Sequence, residues 1–245
     1  MRKLYLEIDG TRVGLNKESG LMLVNPTGFG SVSNSTFELI NQDGFYARTY
    51  KEQAQGQIVG DLVFFGANPY ADYKSFADSI LTAEKLVFVY DPNGTEYKAD
   101  CELSYLTKTE LVNGNYLTVP VAFNLKSLWY TEETLTGTGT VSVTSGGQYE
   151  TAIKVTVAVP LTNPHLTIMA GAETVADVNV TEYTTTGVFE YSNLPNDSHI
   201  TDGGADILNR VNIASDIYSR TRKAFSVNLT GAAMTVKVVK YWRTV

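Results

Sequence analysis

Between residues 68 and 130 the alternation of apolar and polar positions changes period once. Asn68 followed by Pro69 is a helix-start sequence, an N-cap oxygen and then a residue whose φ is already helical. Tyr73, Phe76, Ala77, Ile80 and Leu81 recur at the three-and-four spacing of one buried face, which predicts a helix over Pro69 to Leu81. The period then shortens. Lys85 to Tyr90 is rich in β-branched and aromatic residues and closes on Asp91-Pro92-Asn93-Gly94, so a hairpin is expected with its second arm from about Tyr97 to Leu111. Asn113-Gly114-Asn115 makes the next turn. Beyond it Leu117, Val119, Val121, Phe123 and Leu125 alternate with Thr118, Pro120, Ala122 and Asn124, a strand with one buried face that leads to Trp129-Tyr130.

The flanking regions read as strands throughout. Leu4 to Ile8, Met22 to Val24 and Thr36 to Ile40 are strand-like, with a Gly/Ser loop at Gly28 to Ser35. Lys51 to Gln57 is polar and lies between Tyr46 to Tyr50 and Ile58 to Phe65, which suggests a projecting hairpin with its tip at 51–57. Such a tip is either solvated or docked on a neighbouring subunit. Composition shifts at Thr131, where Thr, Gly and Ser dominate through Gln148, the best domain boundary. Short strands follow: Ile153 to Val159, Leu166 to Ile168, Val175 to Val180, Val188 to Tyr191, Phe225 to Leu229 and Val236 to Tyr241. Their spacing argues for a sandwich, most plausibly a jelly roll, with helical turns only at Ala205 to Asn209 and Ile213 to Arg220.

Composition narrows the function classes. Of 245 residues 43% are hydrophobic and 18% charged, the balance of a folded, lightly charged chain. The net charge of −7 divides into 11 basic against 15 acidic residues over 1–130, giving −4, and 8 against 11 over 131–245, giving −3. Nucleic-acid binding needs clustered cations, and the one cluster, Arg220, Arg222 and Lys223, is too small to dominate an acidic field. The N-terminus alternates like a strand rather than offering the apolar run of a signal peptide, and no apolar run is long enough to span a membrane. A single cysteine, Cys101, leaves no internal disulfide to form, so the fold does not depend on an oxidising compartment.

Catalytic material is scarce. His165 follows Pro164 in a turn-like segment, His199 sits in the polar stretch Asn196 to His199 read as a loop, and Cys101 shares a strand face with Ala99 and Leu103 as a small buried hydrophobe would. Asp197, Asp202 and Asp206 are interleaved with Gly203 and Gly204, but without the spacing of a helix-loop-helix calcium site, so a solvated turn is expected. Gly28-Phe29-Gly30 lacks the third glycine of a dinucleotide fingerprint. Neither an enzyme nor a cofactor or metal site is implied. The second half carries Tyr183, Phe189, Tyr191, Tyr218, Tyr241 and Trp242, which serve either as core and interface residues or as a sugar-stacking face.

The helix, meander and tryptophan pattern resembles the end of the N-terminal domain in the distal tail protein (Dit) family of long-tailed, siphovirus-type bacteriophages. The likeness is carried by Asn68-Pro69-Tyr70 with Tyr73 and Phe76, by Leu86 to Tyr90, by Lys108 and Glu110, and by Phe123 and Trp129. The chain length and the all-β second half ending in Tyr241-Trp242-Arg243-Thr244-Val245 also fit, so the resemblance covers most of the chain. It implies a mainly β fold: an α+β N-terminal domain (1–130) with a split-barrel-like sheet and one helix, residues 131–149 as linker or first strand, and a galectin-like C-terminal β-sandwich or jelly roll (150–245). It further implies a structural, non-enzymatic virion tail protein, assembled in the host cytoplasm. As a homo-oligomer, a hexameric ring, it would join the tail tube to the baseplate or receptor-binding proteins, without contact to nucleic acid or membrane. The family's N-terminal domain carries an extended hairpin that helps build the ring, which makes Tyr50, Lys51, Glu52, Gln53 and Gln57 the candidate ring contacts. The alternative reading, from the aromatic residues, is a carbohydrate-binding or adhesin module with a lectin-like β-sandwich.

Overall fold

The computed structural model describes residues 2–30, 32–40, 45–108, 116–212 and 216–245, and over 32–40 and 45–54 the backbone alone. The chain divides into two compact units, Met1–Trp129 with Arg243–Val245, and Tyr130–Trp242. In chain order the first contains β1 (Lys3–Ile8), β2 (Thr11–Gly14), β3 (Leu21–Thr27), β4 (Val32–Ile40), β5 (Phe45–Ala54), β6 (Gln57–Phe64), helix α1 (Pro69–Thr82), β7 (Leu86–Asp91), β8 (Tyr97–Leu106) and β9 (Leu117–Leu125). Antiparallel pairing runs β2-β1-β7-β8-β9-β6-β3, so β1 closes against the hairpin that follows the helix.

The helix begins as its sequence predicts. The Asn68 side chain accepts the Ala71 N–H at 3.2 Å, and Pro69, Phe76, Ala77 and Ile80 are buried. The Phe64 ring meets Tyr73 and Phe76 edge-on at 5.7 and 5.8 Å, and full burial of a ring such as Phe76 is worth about 1.5–3 kcal/mol. Leu81 corrects the expected face: it is 69% exposed. One residue past Ile80 it is turned by about 100° around the axis, which at the helix end carries it off the sheet.

Trp129 is 2% exposed, and its ring lies 6.0 Å from Phe29, 6.3 Å from Phe88 and 6.4 Å from Tyr90. It anchors the end of the first unit. Strand β8 stops at Leu106, short of the expected Leu111, while Glu110 and the turn at 113–115 lie outside the described residues.

The second unit contains β10 (Trp129–Val143, beginning at the junction), β11 (Ala152–Val157), β12 (His165–Ala170), β13 (Glu173–Val180), β14 (Phe189–Leu194), β15 (Asp197–Asp202), β16 (Ala205–Asp206), β17 (Val211–Asn212) and β18 (Phe225–Trp242). Thr- and Gly-rich 131–143 is therefore strand. Phe225 to Tyr241, expected as two strands, is one strand with Gly231 at φ 79. Residues 226–229 pair with β12 and residues 235–239 with β11, so a single strand serves two groups of strands. Val155, Tyr191 and Val236 from one group and Leu166, Val178 and Val227 from the other share one buried core, the arrangement of a sandwich. Val159, expected in a strand, is 49% exposed beyond the end of β11. The helical turn expected at 205–209 is a short 3-10 turn at Leu208–Arg210; the second, from 213 to 220, lies partly outside the described residues, and 216–220 is not helical.

Candidate functional site

Of the candidate ring contacts, Tyr50, Lys51, Glu52 and Gln53 lie on β5 and Gln57 opens β6, and the hairpin differs from the one expected. Strand β5 pairs with β4, not with Ile58 to Phe65, which belongs to β6 and pairs with β3 and β9. Residues 51–54 are consequently strand, and residues 41–44, between β4 and β5, lie outside the described residues. The polar run misled because residue polarity alone does not separate a strand from a loop; the partner strand that decides it lies elsewhere in the sequence.

Register sorts the hairpin into two halves. Near its root Ser33 pairs with Gln53, Asn34 with Glu52, Ser35 with Lys51 and Thr36 with Tyr50. Towards its far end Leu39 pairs with Tyr46 and Ile40 with Phe45. Polar residue types dominate from Ser33 to Thr36 and their partners, between the apolar pair Val32 and Ala54 at the base and the apolar pairs Leu39–Tyr46 and Ile40–Phe45 at the far end. Neither β4 nor β5 pairs with another strand among the described residues. A lone two-stranded ribbon is marginal in water and leaves both outer edges without ladder partners.

Its root is held firmly. Gly28, at φ 99, passes so close to Gln57 that a Cβ there would overlap the Gln57 carbonyl oxygen. On the exit side Gln55 donates through Nε2 to the Leu125 carbonyl at 3.1 Å, Leu125 N–H donates to the Gly56 carbonyl at 2.8 Å, and Gln57 Nε2 donates to Asn124 Oδ1 at 2.9 Å. Gln57 is thus part of the root, joined to β9. The side chains of Tyr50, Lys51, Glu52 and Gln53 lie outside the described residues.

The remaining candidate chemistry is taken up locally. Cys101 is buried, and burial pushes its thiol up to about 12, far from a nucleophilic thiolate. It belongs to the first unit, and both histidines to the second. His165 Nε2 lies 2.7 Å from Asp177 Oδ1. His199 is on strand β15 rather than in a loop, with Nδ1 3.0 Å from Asp197 and Nε2 3.7 Å from Glu190. Among the described residues no cluster of His, Cys, Asp and Glu suited to a metal is present. Of the basic cluster, Lys223 is paired with Glu173 and Arg222 sits over the Tyr149 ring at 5.8 Å.

The solvated acidic turn is also corrected. Asp202 is 5% exposed. Its Oδ2 accepts from Thr186 N–H at 2.8 Å, Tyr183 hydroxyl at 2.9 Å and Thr186 hydroxyl at 3.2 Å, and its Oδ1 from Gly187 N–H at 2.6 Å. These donors, led by the Thr186 N–H, outweigh burial and hold the carboxyl below its ordinary value of 3.8. The cradle ties the 183–187 segment to the end of β15, and sequence reasoning missed it because its donors lie some 16 residues from the carboxylate.

The aromatic residues noted in the second unit make contacts within it. Phe189 and Tyr191 are buried, Tyr218 stacks on Tyr191 at 6.2 Å, Tyr241 meets Tyr130 at 6.3 Å, and Trp242 Nε1 donates to Thr131 Oγ1 at 3.3 Å. Tyr183 is engaged with Asp202.

A family model for the N-terminal domain of the distal tail protein matches residues 4–126. No curated protein sequence matches the chain. Among solved structures, the fold is similar to a chain of the phage P2 baseplate in its activated conformation with calcium, at TM-score 0.72 and 15% identity over 100% of both chains. It is similar to the same baseplate with strontium, at TM-score 0.72 and 14% identity over 100% of both. It is also similar to the SPP1 Dit protein, a paradigm of the hub adsorption apparatus in phages infecting Gram-positive hosts, at TM-score 0.68 and 14% identity over 97% of this chain and 98% of that one.

Proposed function

The chain belongs to the distal tail protein family and is a structural component of the phage tail, and from that premise we propose that it closes into a ring, of six subunits, joining the tail tube to the baseplate or receptor-binding apparatus. The observation that carries this reading is the β4–β5 ribbon, which pairs with no other strand among the described residues while its root is clamped to β9. A clamped root fixes the direction of an arm, and an apolar end gives it something to bury on a neighbour. Contacts of this head-to-tail kind generate either a closed ring or an open filament, and closure fixes the copy number. We therefore assign the ring contact to the far end of the ribbon, Leu39, Ile40, Phe45 and Tyr46, with Tyr50 to Gln53 as flanking contacts. The partners of such a ring are other tail and baseplate proteins.

Negative-stain imaging and light scattering of the purified chain test the reading. Annular particles with six subunits are expected, and a monomer at every concentration, also with the neighbouring tail proteins present, would overturn it.

A further inference from the structure

The first unit carries a cleft unconnected with the ribbon. It has a volume of about 320 Å³ and is bordered by Arg2, Lys3 and Lys17, with Tyr5, Asn16 and Glu18 among the other lining residues. Its frame is rigid. Asn16 receives the Leu4 N–H at 3.1 Å and donates to the Leu4 carbonyl at 2.9 Å, which fastens the 3-10 turn Lys17–Ser19 to β1. Ser19 Oγ donates to the Gly14 carbonyl at 2.8 Å, a seat open only because residue 14 has no side chain: a Cβ there would come within 2.6 Å of Ser19 Oγ.

Three cations converge on this one cleft. Several cations elsewhere in this acidic chain find carboxylates: Arg12 holds Glu7 and Glu96, Lys154 holds Glu190, and Lys240 holds Glu133. Arg2, Lys3 and Lys17 make no ion pair or side-chain hydrogen bond among the described residues, although Glu18 borders the same cleft. Three unpaired cations against one carboxylate leave a local positive excess in a chain of net charge −7.

We propose that this cleft seats an acidic peptide segment of a neighbouring protein, two or more adjacent carboxylates meeting Arg2, Lys3 and Lys17. The cleft is wide enough for only a few residues, and the exposed heads of three long side chains suit carboxylates better than an apolar insertion. A duplex nucleic acid fits less well, because its many phosphates would meet the acidic surface beyond the cleft. The assignment does not depend on ring formation.

The probe is fluorescein-labelled hexaglutamate, followed by anisotropy with the full chain at low salt, with hexaglutamine as control. Saturable binding of hexaglutamate alone is expected, weakening as salt is raised because exposed charges are screened. The triple variant R2Q/K3Q/K17Q should lose about tenfold in affinity or more, while R2K/K3R/K17R keeps it within about threefold. A control triple at cations outside the cleft, K74Q/R210Q/R220Q, should bind like the wild type. The proposal is overturned if the wild type does not bind hexaglutamate, if both glutamine triples lose affinity equally, or if duplex DNA displaces the peptide at a lower concentration through the same three residues.

Discussion

Gly28 and Gln57 touch backbone to backbone: at φ 99 the glycine crosses the Gln57 carbonyl at a separation no side chain would allow. The contact lies where the chain leaves β3 on its way to the ribbon and where it re-enters the sheet as β6, so one residue without a Cβ lets both passages share the root. Gly28→Ala combines a strained φ with a clash against backbone that cannot swing away. A loss of roughly 2–3 kcal/mol is expected. Equilibrium denaturation in urea measures it, and an unchanged midpoint would mean that the root is looser than described.

The ribbon itself offers a cleaner test of assembly. Removing only Glu52 to Gln55 would strip partners from Val32 to Asn34 and disturb the root, so both strands must be shortened together in register. A variant in which 36–50 is replaced by a two-residue Asn-Gly turn keeps the polar root and deletes the apolar end. It should stay folded with a melting temperature close to the wild type and fail to form rings. Rings of normal copy number from this variant would place the contact elsewhere.

Trp129 lies between Phe29, Phe88 and Tyr90, and its truncation leaves a cavity that three rings cannot fill. Trp129→Ala should cost on the order of 3–5 kcal/mol. Calorimetry should show the loss, whereas Leu81→Ala, at a residue 69% exposed, should change stability by less than about 0.5 kcal/mol. Equal effects of the two would contradict the buried ring cluster.

Asp202 predicts a pH dependence whose direction follows from its lowered carboxyl. The folded state binds this proton more weakly than the unfolded chain, so the stabilisation is fully present above the ordinary carboxylate value and is lost as pH falls below about 4. At pH 7 Asp202→Asn, which cannot accept at all four donors with charge, should be less stable by about 2–3 kcal/mol. Towards pH 3 the gap between variant and wild type should narrow. A gap that stays constant over this range would show that the carboxylate's charge contributes nothing.

Residues close together in the sequence determined most of the first unit. The Asn68 cap, the Phe76 and Ile80 stripe and the alternation from Leu117 to Leu125 each describe a local backbone preference plus one buried face, and such information is complete within a few turns or pleats. Trp129 was legible for the same reason, as a large ring at the end of an apolar strand. Pairing was not. Whether polar residues 51–54 are a tip or a strand depends on β4, whose Val32 to Ser35 lie about 20 residues earlier, and polarity alone does not separate the two. The continuity of β18 through Gly231 depends on which strands flank each half, and the solvated appearance of Asp202 on donors from another loop. The unpaired cations at Arg2, Lys3 and Lys17 are of the same kind: the sequence contains the charges, but which carboxylates come near them is settled only by the packing of the strands.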